Sequence, residues 1–177
     1  MYKVVACSSS GGGIFESIVT NQNHKGYQVT QLVVDRECGA VDKAKKYKIP
    51  IAYVESEVSN KVKSDQLDKL LPLDTDLIVL SGYMPIISSE ICAKWKGKLI
   101  NTHPSLLPHY GGIGMYGVKV QEAVMAAKEI YAGCSVHYVS EKVDMGELIR
   151  QKFIKINYEE TPWQLGGHIH MLERDLI

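Results

Sequence analysis

The amino-acid sequence predicts a single α/β domain over residues 1–177, Rossmann-like, with a mainly parallel twisted sheet and helices on both faces. Short β-branched runs alternate with helical apolar stripes along most of the chain, which is typical of successive βα units. A length of 177 residues suits one hydrophobic core, and 45% apolar with 23% charged residues is ordinary for a globular protein. We therefore expect one domain without linkers or repeats.

The first half of the chain alternates between the two kinds of pattern. Positions 3–7, 27–34, 51–54 and 76–80 are short apolar or β-branched runs, so each is a predicted strand. Apolar residues at positions 14, 15, 18 and 19 recur at helical spacing, and we also predict helices over 41–47 and 61–71. Ser88 is a candidate N-cap for a helix over 90–96, which Gly97 should end.

The second half continues the alternation. A predicted strand over 99–102 breaks at His103-Pro104, and apolar positions 120, 123, 124 and 127 predict a helix. Strands follow over 135–139 and 148–156. Thr161 and Pro162 form an N-cap and first-turn proline for a last helix, whose pattern still holds at Ile177.

Charge and cysteine usage exclude several classes of function. The 20 Lys+Arg balance 20 Asp+Glu, so bulk electrostatics cannot be the main attraction to nucleic acid or to an anionic membrane. The four cysteines form no C-x-x-C pair, which excludes a zinc ribbon or dithiol motif and predicts reduced thiols. With no signal peptide and no long apolar stretch, we expect a cytoplasmic protein.

The turn after the first strand contains Gly11, Gly12 and Gly13 in succession. Consecutive glycines let backbone N–H groups approach an anion, and the following helix adds the positive end of its dipole. The segment lacks the lysine and hydroxyl of a nucleoside triphosphate hydrolysis loop. Phosphate binding is the interpretation that we favour, and a plain tight turn is the alternative.

Two further segments carry groups suited to acyl chemistry. Asn101 and His103 are two residues apart, so on an extended backbone their side chains leave the same face, where both can hydrogen-bond an oxyanion. Prolines at 104 and 108 stiffen the loop that follows. Asp144 precedes Met145-Gly146 in a later loop, and beside His103 it would fix the tautomer of that ring. A turn aspartate without function is the alternative at this position.

Three motifs together resemble the folate-dependent formyltransferase family. They are Ser81-Gly82-Tyr83-Met84, Leu99-Ile100-Asn101-Thr102-His103-Pro104-Ser105-Leu106-Leu107-Pro108 and Val143-Asp144-Met145-Gly146. The similarity extends from Ser9 to Glu173 and is greatest with small, stand-alone members of the family. It implies the formyltransferase fold and transfer of a formyl group from 10-formyltetrahydrofolate to the amine of glycinamide ribonucleotide, a step of purine biosynthesis.

The resemblance also implies roles for individual residues. Asn101 and a protonated His103 would donate hydrogen bonds to the oxyanion, while Asp144 keeps His103 charged and orders a proton-carrying water. The substrate would be bound by Gly11, Gly12, Gly13, Met84, Pro104 and Glu173. The folate would contact Leu80, Met84, Ile86, Ile87, Ser140, Glu141, Lys142, Val143 and Asp144. No metal is implied.

The chain departs from the family pattern at three places. Ile14 stands where the family has an asparagine, Pro85 where an arginine is common, and positions 112–117 replace a His-Thr-His stretch. We expect these differences to affect details of substrate binding while the catalytic residues stay intact.

Other functions remain open from the sequence. A tRNA formyltransferase would need a further tRNA-binding domain, for which 177 residues leave no room, and a basic surface. Another amine acceptor, such as an amino-sugar nucleotide, is an alternative, as is a non-catalytic phosphate- or nucleotide-binding module. We expect a monomer or homodimer that binds small molecules, and neither nucleic acid nor membrane.

Overall fold

The computed structural model describes residues 1–177, which form seven strands and six helices. In chain order these are β1 (Tyr2–Ser8), α1 (Gly13–Lys25), β2 (Tyr27–Val34), α2 (Gly39–Tyr47), β3 (Ile51–Tyr53), α3 (Asn60–Leu70), β4 (Leu77–Leu80), α4 (Ser89–Lys94), β5 (Leu99–His103), α5 (Val118–Ala126), β6 (Tyr131–Tyr138), β7 (Leu148–Lys155) and α6 (Pro162–Leu176). The strands form one sheet in the order β3-β2-β1-β4-β5-β6-β7. The predicted α/β class is confirmed.

The chain divides into two compact units, Met1–Ile100 and Asn101–Ile177, and a single domain stays a prediction. In the first unit β1 pairs in parallel with both β2 and β4, and β2 pairs in parallel with β3. Since parallel crossovers are right-handed, the steps outward from β1 to β3 and the step back to β4 put α1 and α2 on one face and α3 on the other. The turn after β1 therefore lies at the point where the strand order reverses, a common ligand site in such sheets.

Helix α1 shows how the sequence pattern becomes packing in this unit. Its buried side includes Ile14, Phe15, Ile18 and Val19, which are the four positions of the predicted stripe. Phe15 is completely inaccessible to solvent, and β1 is buried from Val4 onward. Removing this apolar surface from water is the main favourable contribution to folding, at about 25 cal/mol per Å².

The second unit contains an antiparallel pair, β6 with β7. Helix α6 packs against both strands and buries Leu165, Ile169 and Leu176. Its N-terminus has a full capping box, because the Thr161 hydroxyl accepts from the Gln164 N–H while the Gln164 side chain accepts from the Thr161 N–H. The predicted start of this helix is therefore confirmed.

Several element boundaries differ from the sequence prediction, among them the end of α4 and the start of β6. Helix α4 ends at Lys94, with Trp95 as its C-cap, so Gly97 follows the helix at φ 77° without ending it. Strand β6 begins at Tyr131, four residues before the predicted start at 135. The early part of β6 contains Ala132 and Gly133, which have little intrinsic strand preference, and pairing with β7 overrides that preference.

All four cysteines are free thiols, as predicted. Burial raises the pKa of the Cys134 thiol to about 12, which keeps that thiol protonated and unreactive at neutral pH. None of the helices combines the length and the apolar character that crossing a bilayer requires.

Candidate active site

The end of β5 places His103 in a buried position where both ring nitrogens face oxygen atoms. Its Nε2 lies 2.9 Å from the carbonyl oxygen of Tyr110, and its Nδ1 lies 3.4 Å from Oδ2 of Asp144. Because a carbonyl oxygen can only accept, Nε2 carries a hydrogen. The carboxylate therefore faces the second ring nitrogen, and a proton there would be shared with Asp144 as a charged pair. The predicted contact between these two residues is present.

Asp144 is held in an unusual backbone conformation. Its φ of 57° lies in the left-handed region, which aspartate tolerates better than most residues. The Gly112 N–H donates to Oδ2 at 2.9 Å, and only 8% of the side chain is exposed. Burial alone would raise the pKa of this carboxyl group. The rings of His137 and His103 and the Gly112 N–H outweigh burial, so the pKa of Asp144 is lowered and the group is ionised at neutral pH.

His137 completes the cluster, and sequence reasoning missed it. Its Nε2 lies 3.2 Å from Nδ2 of Asn101 and 3.6 Å from Oδ1 of Asp144, while Nδ1 lies 2.9 Å from the carbonyl oxygen of Tyr138. The four side chains thus form a continuous row, Asn101–His137–Asp144–His103. One signal was available in the sequence: Ser135 and His137 are alternate polar residues in an apolar strand, so both face the same side.

The loop after His103 is fixed by side chains as well as by its prolines. The buried Ser135 hydroxyl donates to the Ser105 carbonyl at 2.7 Å and accepts from the Leu107 N–H at 3.0 Å and from the Gln151 amide at 2.8 Å. The Gln121 amide donates to the Pro104 carbonyl at 2.7 Å. These bonds satisfy backbone groups that would otherwise be buried without partners, and they hold the loop against β6.

The glycine turn of the first unit packs closely against α2 and also leaves backbone N–H groups without acceptors. Gly12 has a φ of 72° and is the N-cap of α1, and an added Cβ would lie 2.6 Å from Cα of Ala40. Close packing therefore explains this glycine, whereas a Cβ on Gly11 would meet no atom within 4 Å. The first helical bond runs from the Glu16 N–H to the Gly12 carbonyl, so the N–H groups of 13–15 have no helical acceptor. The turn can bind an anion through its backbone.

A buried carboxylate stands beside this turn, at the end of β2. Asp35 has no exposed side-chain surface, and its Oδ2 lies 2.8 Å from Arg36 Nη2 and 4.0 Å from Lys63 Nζ. Burial raises the pKa of Asp35. The hydrogen bonds from the Arg36 guanidinium and the Ser9 hydroxyl lower it by more than burial raises it, so the pKa lies below its ordinary value. Ser9 in turn accepts from the Met84 N–H at 2.9 Å. Asp35 and its cations thus link the ends of β1, β2 and β4.

The other predicted binding residues lie in varied surroundings. In the first unit Leu80 and Ile87 are buried, whereas Met84 and Ile86 expose 45% and 41% of their surface. In the second unit the Ser140 hydroxyl donates to the Lys142 carbonyl at 3.0 Å, within the loop that ends at Asp144. Glu173 is buried, with Oε2 3.8 Å from Nδ1 of His170, so it is not the solvated helix charge that its position in the sequence would favour.

The residues of the site do not form a metal centre, because no group of three or more His, Cys, Asp or Glu side chains is placed to hold an ion. The second-unit cluster places N–H groups of Gly112, His103 and His137 around one buried carboxylate, that of Asp144. Such a cluster is suited to stabilising negative charge on an oxygen atom and to moving a proton.

Comparisons with known proteins agree with this chemistry. The formyl transferase family matches residues 2–177. Phosphoribosylglycinamide formyltransferase of Bacillus subtilis is 34% identical over 179 residues, which are 98% of this chain and 89% of that protein. The chloroplastic enzyme of the same name from Vigna unguiculata is 31% identical over 180 residues. The matched region covers 98% of this chain but only 58% of the length of that relative.

Solved structures give the same result. The crystal structure of phosphoribosylglycinamide formyltransferase from Anaplasma phagocytophilum superimposes with a TM-score of 0.89 at 27% identity, covering 98% of this chain and 82% of that one. This chain belongs to the formyl transferase family.

Proposed function

We propose that this protein transfers the formyl group of 10-formyltetrahydrofolate to the amine of glycinamide ribonucleotide, giving formylglycinamide ribonucleotide and tetrahydrofolate. The row Asn101–His137–Asp144–His103 is the observation that carries the proposal. The chain spans 58% and 60% of two plant relatives, and 89% of the bacterial one, all named for this activity.

The reaction needs a stabilised oxyanion and a route for one proton. When the substrate amine attacks the formyl carbon, the C=O bond opens and the formyl oxygen becomes negative. An N–H of Asn101 is a neutral donor for that oxygen, and a protonated His103 is a charged donor, which is roughly twice as strong. The attacking nitrogen must then lose a proton, and the folate nitrogen must gain one as its bond to carbon breaks.

Asp144 serves both requirements because it is ionised. Its carboxylate lies 3.4 Å from Nδ1 of His103, where it can form an ion pair with a proton on that nitrogen. The carboxylate can also accept a hydrogen bond from a water that receives the amine proton. Its lowered pKa means that this negative charge is kept at neutral and mildly acidic pH.

The two substrates are assigned to the residues that the family resemblance implies. We propose that the backbone N–H groups at Gly11, Gly12 and Gly13 bind the phosphate and that Glu173 accepts hydrogen bonds from the ribose hydroxyls. Met84 and Pro104 would contact the glycinamide end. The folate would contact Leu80, Met84, Ile86, Ile87, Ser140, Glu141, Lys142, Val143 and Asp144.

One departure from the family pattern, Ile14, bears directly on how the phosphate would be bound. Ile14 is buried and apolar, so it offers the phosphate no side-chain hydrogen bond, and backbone N–H groups of the glycine turn and the start of α1 must supply the binding. Arg36 and Lys63 both pair with Asp35, which partly neutralises their positive charges. Phosphate binding therefore depends mainly on the helix terminus.

We propose a cytoplasmic protein, monomeric or homodimeric, that binds small molecules and neither nucleic acid nor membranes. The balance of 20 positive and 20 negative residues supports a small-molecule substrate over tRNA.

The experiment that tests the function is a formyl-transfer assay with purified protein and 10-formyltetrahydrofolate. Glycinamide ribonucleotide is the test acceptor, and an amino-sugar nucleotide and glycinamide riboside without phosphate are matched controls. We expect turnover with the ribonucleotide and far less with either control. Preferential turnover of the amino-sugar nucleotide would replace the substrate assignment. No transfer to any amine, together with phosphate binding at the glycine turn, would favour a non-catalytic binding module.

A further inference from the structure

Ser9, in the turn after β1, contacts the turn after β4 through both its backbone and its side chain. Its N–H donates to the Gly82 carbonyl at 2.9 Å, and its hydroxyl oxygen accepts from the Met84 N–H at 2.9 Å. The two turns also pack closely, since a Cβ added to Gly82 would lie 2.6 Å from Oγ of Ser10. Ser9 therefore fastens the first turn to the second at two points.

The carboxylate of Asp35 decides how the Ser9 hydroxyl is used. A serine hydroxyl has one hydrogen to donate and lone pairs with which to accept. Asp35 has no exposed side-chain surface, and its Oδ2 accepts from Nη2 and Nε of Arg36 at 2.8 and 3.3 Å. The same carboxylate accepts a hydrogen bond from Ser9. Because a carboxylate can only accept, the Ser9 hydrogen is directed at Asp35 and a lone pair is left for the Met84 N–H.

The amide held in this way belongs to an exposed residue. Met84 exposes 45% of its surface, and Pro85 follows it, which favours an extended backbone at Met84 and supplies no N–H of its own. The position of Met84 relative to the glycine turn therefore depends on the side chain of Ser9 as well as on the backbone bond to Gly82.

We propose that Ser9 and Asp35 are positioning residues that fix the distance between the phosphate-binding turn and Met84, and so favour a ligand that reaches both. This inference rests on the proposed function, in which residues 11–13 bind the phosphate and Met84 contacts the glycinamide end. Contacts that are already correctly spaced cost less entropy when one ligand makes both of them. A ligand that touches only the turn, such as inorganic phosphate, gains nothing from that spacing.

The structural part is tested without substrate, by NMR measurement of hydrogen exchange at the Met84 amide. Ser9→Ala removes the acceptor of that amide. Ser10→Ala is the matched control, since its hydroxyl lies 3.5 Å from Oγ of Ser8 and does not bond Met84. We expect exchange to become about 3- to 10-fold faster in Ser9→Ala, as for loss of one ordinary hydrogen bond, and to stay within about twofold in Ser10→Ala.

The ligand part compares glycinamide ribonucleotide with inorganic phosphate by isothermal titration calorimetry. We expect Ser9→Ala to raise the Kd of the ribonucleotide about 3- to 10-fold and that of phosphate less than about twofold, with neither changed in Ser10→Ala. A variant that was merely less stable would not distinguish the two ligands. Equal weakening of both ligands, or of neither, would overturn the proposal.

Asp35 is tested by one disruptive and one conservative variant. Asp35→Ala frees the Ser9 hydroxyl to rotate, so we expect the same selective loss as in Ser9→Ala, and less than about twofold further loss when the two changes are combined. Asp35→Asn keeps an oxygen that can accept from Ser9 and should bind the ribonucleotide within about twofold of wild type, which maintains the test if the alanine variant does not fold. An equal loss from Asp35→Ala with and without Ser9, or a loss in Asp35→Asn as large as in Ser9→Ala, would overturn the role of Asp35.

Unchanged exchange at Met84 in Ser9→Ala would overturn the proposal whether or not the protein transfers formyl groups. An absence of ribonucleotide binding by the wild-type protein would instead contradict the proposed function, and the exchange measurement would still decide whether Ser9 positions Met84.

Discussion

At the scale of single residues, the site depends on which groups are buried with a complete set of partners. Asp144 is ionised in a buried position because three neighbours compensate for the lost hydration. The sequence identified Asn101, His103 and Asp144, since their spacing and the family motifs are visible along the chain. His137 was missed because its role depends on contacts with residues 36 positions before and 7 positions after it.

Substitution of Asp144 tests this residue-level chemistry directly. Asp144→Asn keeps the size of the side chain but removes the negative charge that faces Nδ1 of His103. We expect kcat to fall at least about 100-fold, as for loss of general acid–base assistance, while substrate dissociation constants change little. Steady-state kinetics and equilibrium titration of the two substrates separate these quantities, and unchanged kcat would exclude the proposed role.

The pH dependence follows from the direction of the same pKa shift. Because the pKa of Asp144 is lower in the folded protein than the ordinary value, its ionised form stabilises the fold above about pH 3.9. This contribution is lost only as the pH falls through the lower, folded value. We therefore expect activity to show no loss attributable to Asp144 between pH 7 and pH 5. A step in kcat/KM in that window that disappears in Asp144→Asn would contradict the lowered pKa.

At the scale of elements, the carboxyl ends of β1 and β5 carry the two functional segments, and each is held by contacts that the sequence pattern does not show. The glycine turn is packed against Ala40 at the start of α2, and the loop after β5 is bonded to Ser135 of β6. Periodicity predicted the elements themselves, but side-chain bonds between distant segments leave no local pattern. The start of β6 was misplaced for a related reason, because pairing with the distant strand β7 overrides the weak strand preference of Ala132 and Gly133.

A matched pair of substitutions tests the glycine turn. Gly12→Ala places a Cβ against Ala40 in a left-handed conformation, which alone costs about 1–2 kcal/mol. Gly11→Ala meets no neighbour within 4 Å. We expect Gly12→Ala to lower the thermal midpoint by several degrees and Gly11→Ala to leave it unchanged in calorimetry. Equal effects of both variants would show that close packing does not determine the turn.

The loop after β5 has its own test in Ser135→Ala. This change leaves the buried Leu107 N–H without its acceptor, and such a group costs about 1–3 kcal/mol. We expect a lower free energy of unfolding in urea together with a lower kcat, because the same loop begins at His103. Ser56→Ala, on an exposed turn, is the control and should change neither quantity. Lower stability with full activity would separate the loop from catalysis.

Helices α1 and α2 are joined by a charged cluster around Glu16. Hydrogen bonds from Lys43, Lys46 and Tyr47 lower the pKa of Glu16 to about 2. Because the folded pKa is lowered, the stabilisation is complete above the ordinary glutamate value and is lost as the pH falls toward 2. For a partly exposed cluster we expect Glu16→Gln to cost about 1 kcal/mol or less at pH 7, and the difference from wild type to shrink by pH 3. Urea unfolding at both pH values measures it, and a pH-independent difference would point to packing instead.

At the scale of the whole molecule, composition and alternation predicted the α/β class, and the seven-stranded sheet confirms it. The strand order and the antiparallel direction of β7 could not be predicted, because local patterns do not encode which strands become neighbours. Zero net charge excludes general attraction to polyanions, so binding must come from localised groups, here a helix terminus and one buried carboxylate with its donors.

The most direct test of the central claim is the single-turnover rate of formyl transfer from 10-formyltetrahydrofolate to glycinamide ribonucleotide, measured for wild type and His103→Ala. With enzyme in excess over substrate, this rate reports the chemical step without product release. We predict rapid transfer by the wild type and a rate at least about 100-fold lower in the variant, which lacks the charged donor. Equal rates in the two proteins, or no transfer by the wild type, would contradict the claim.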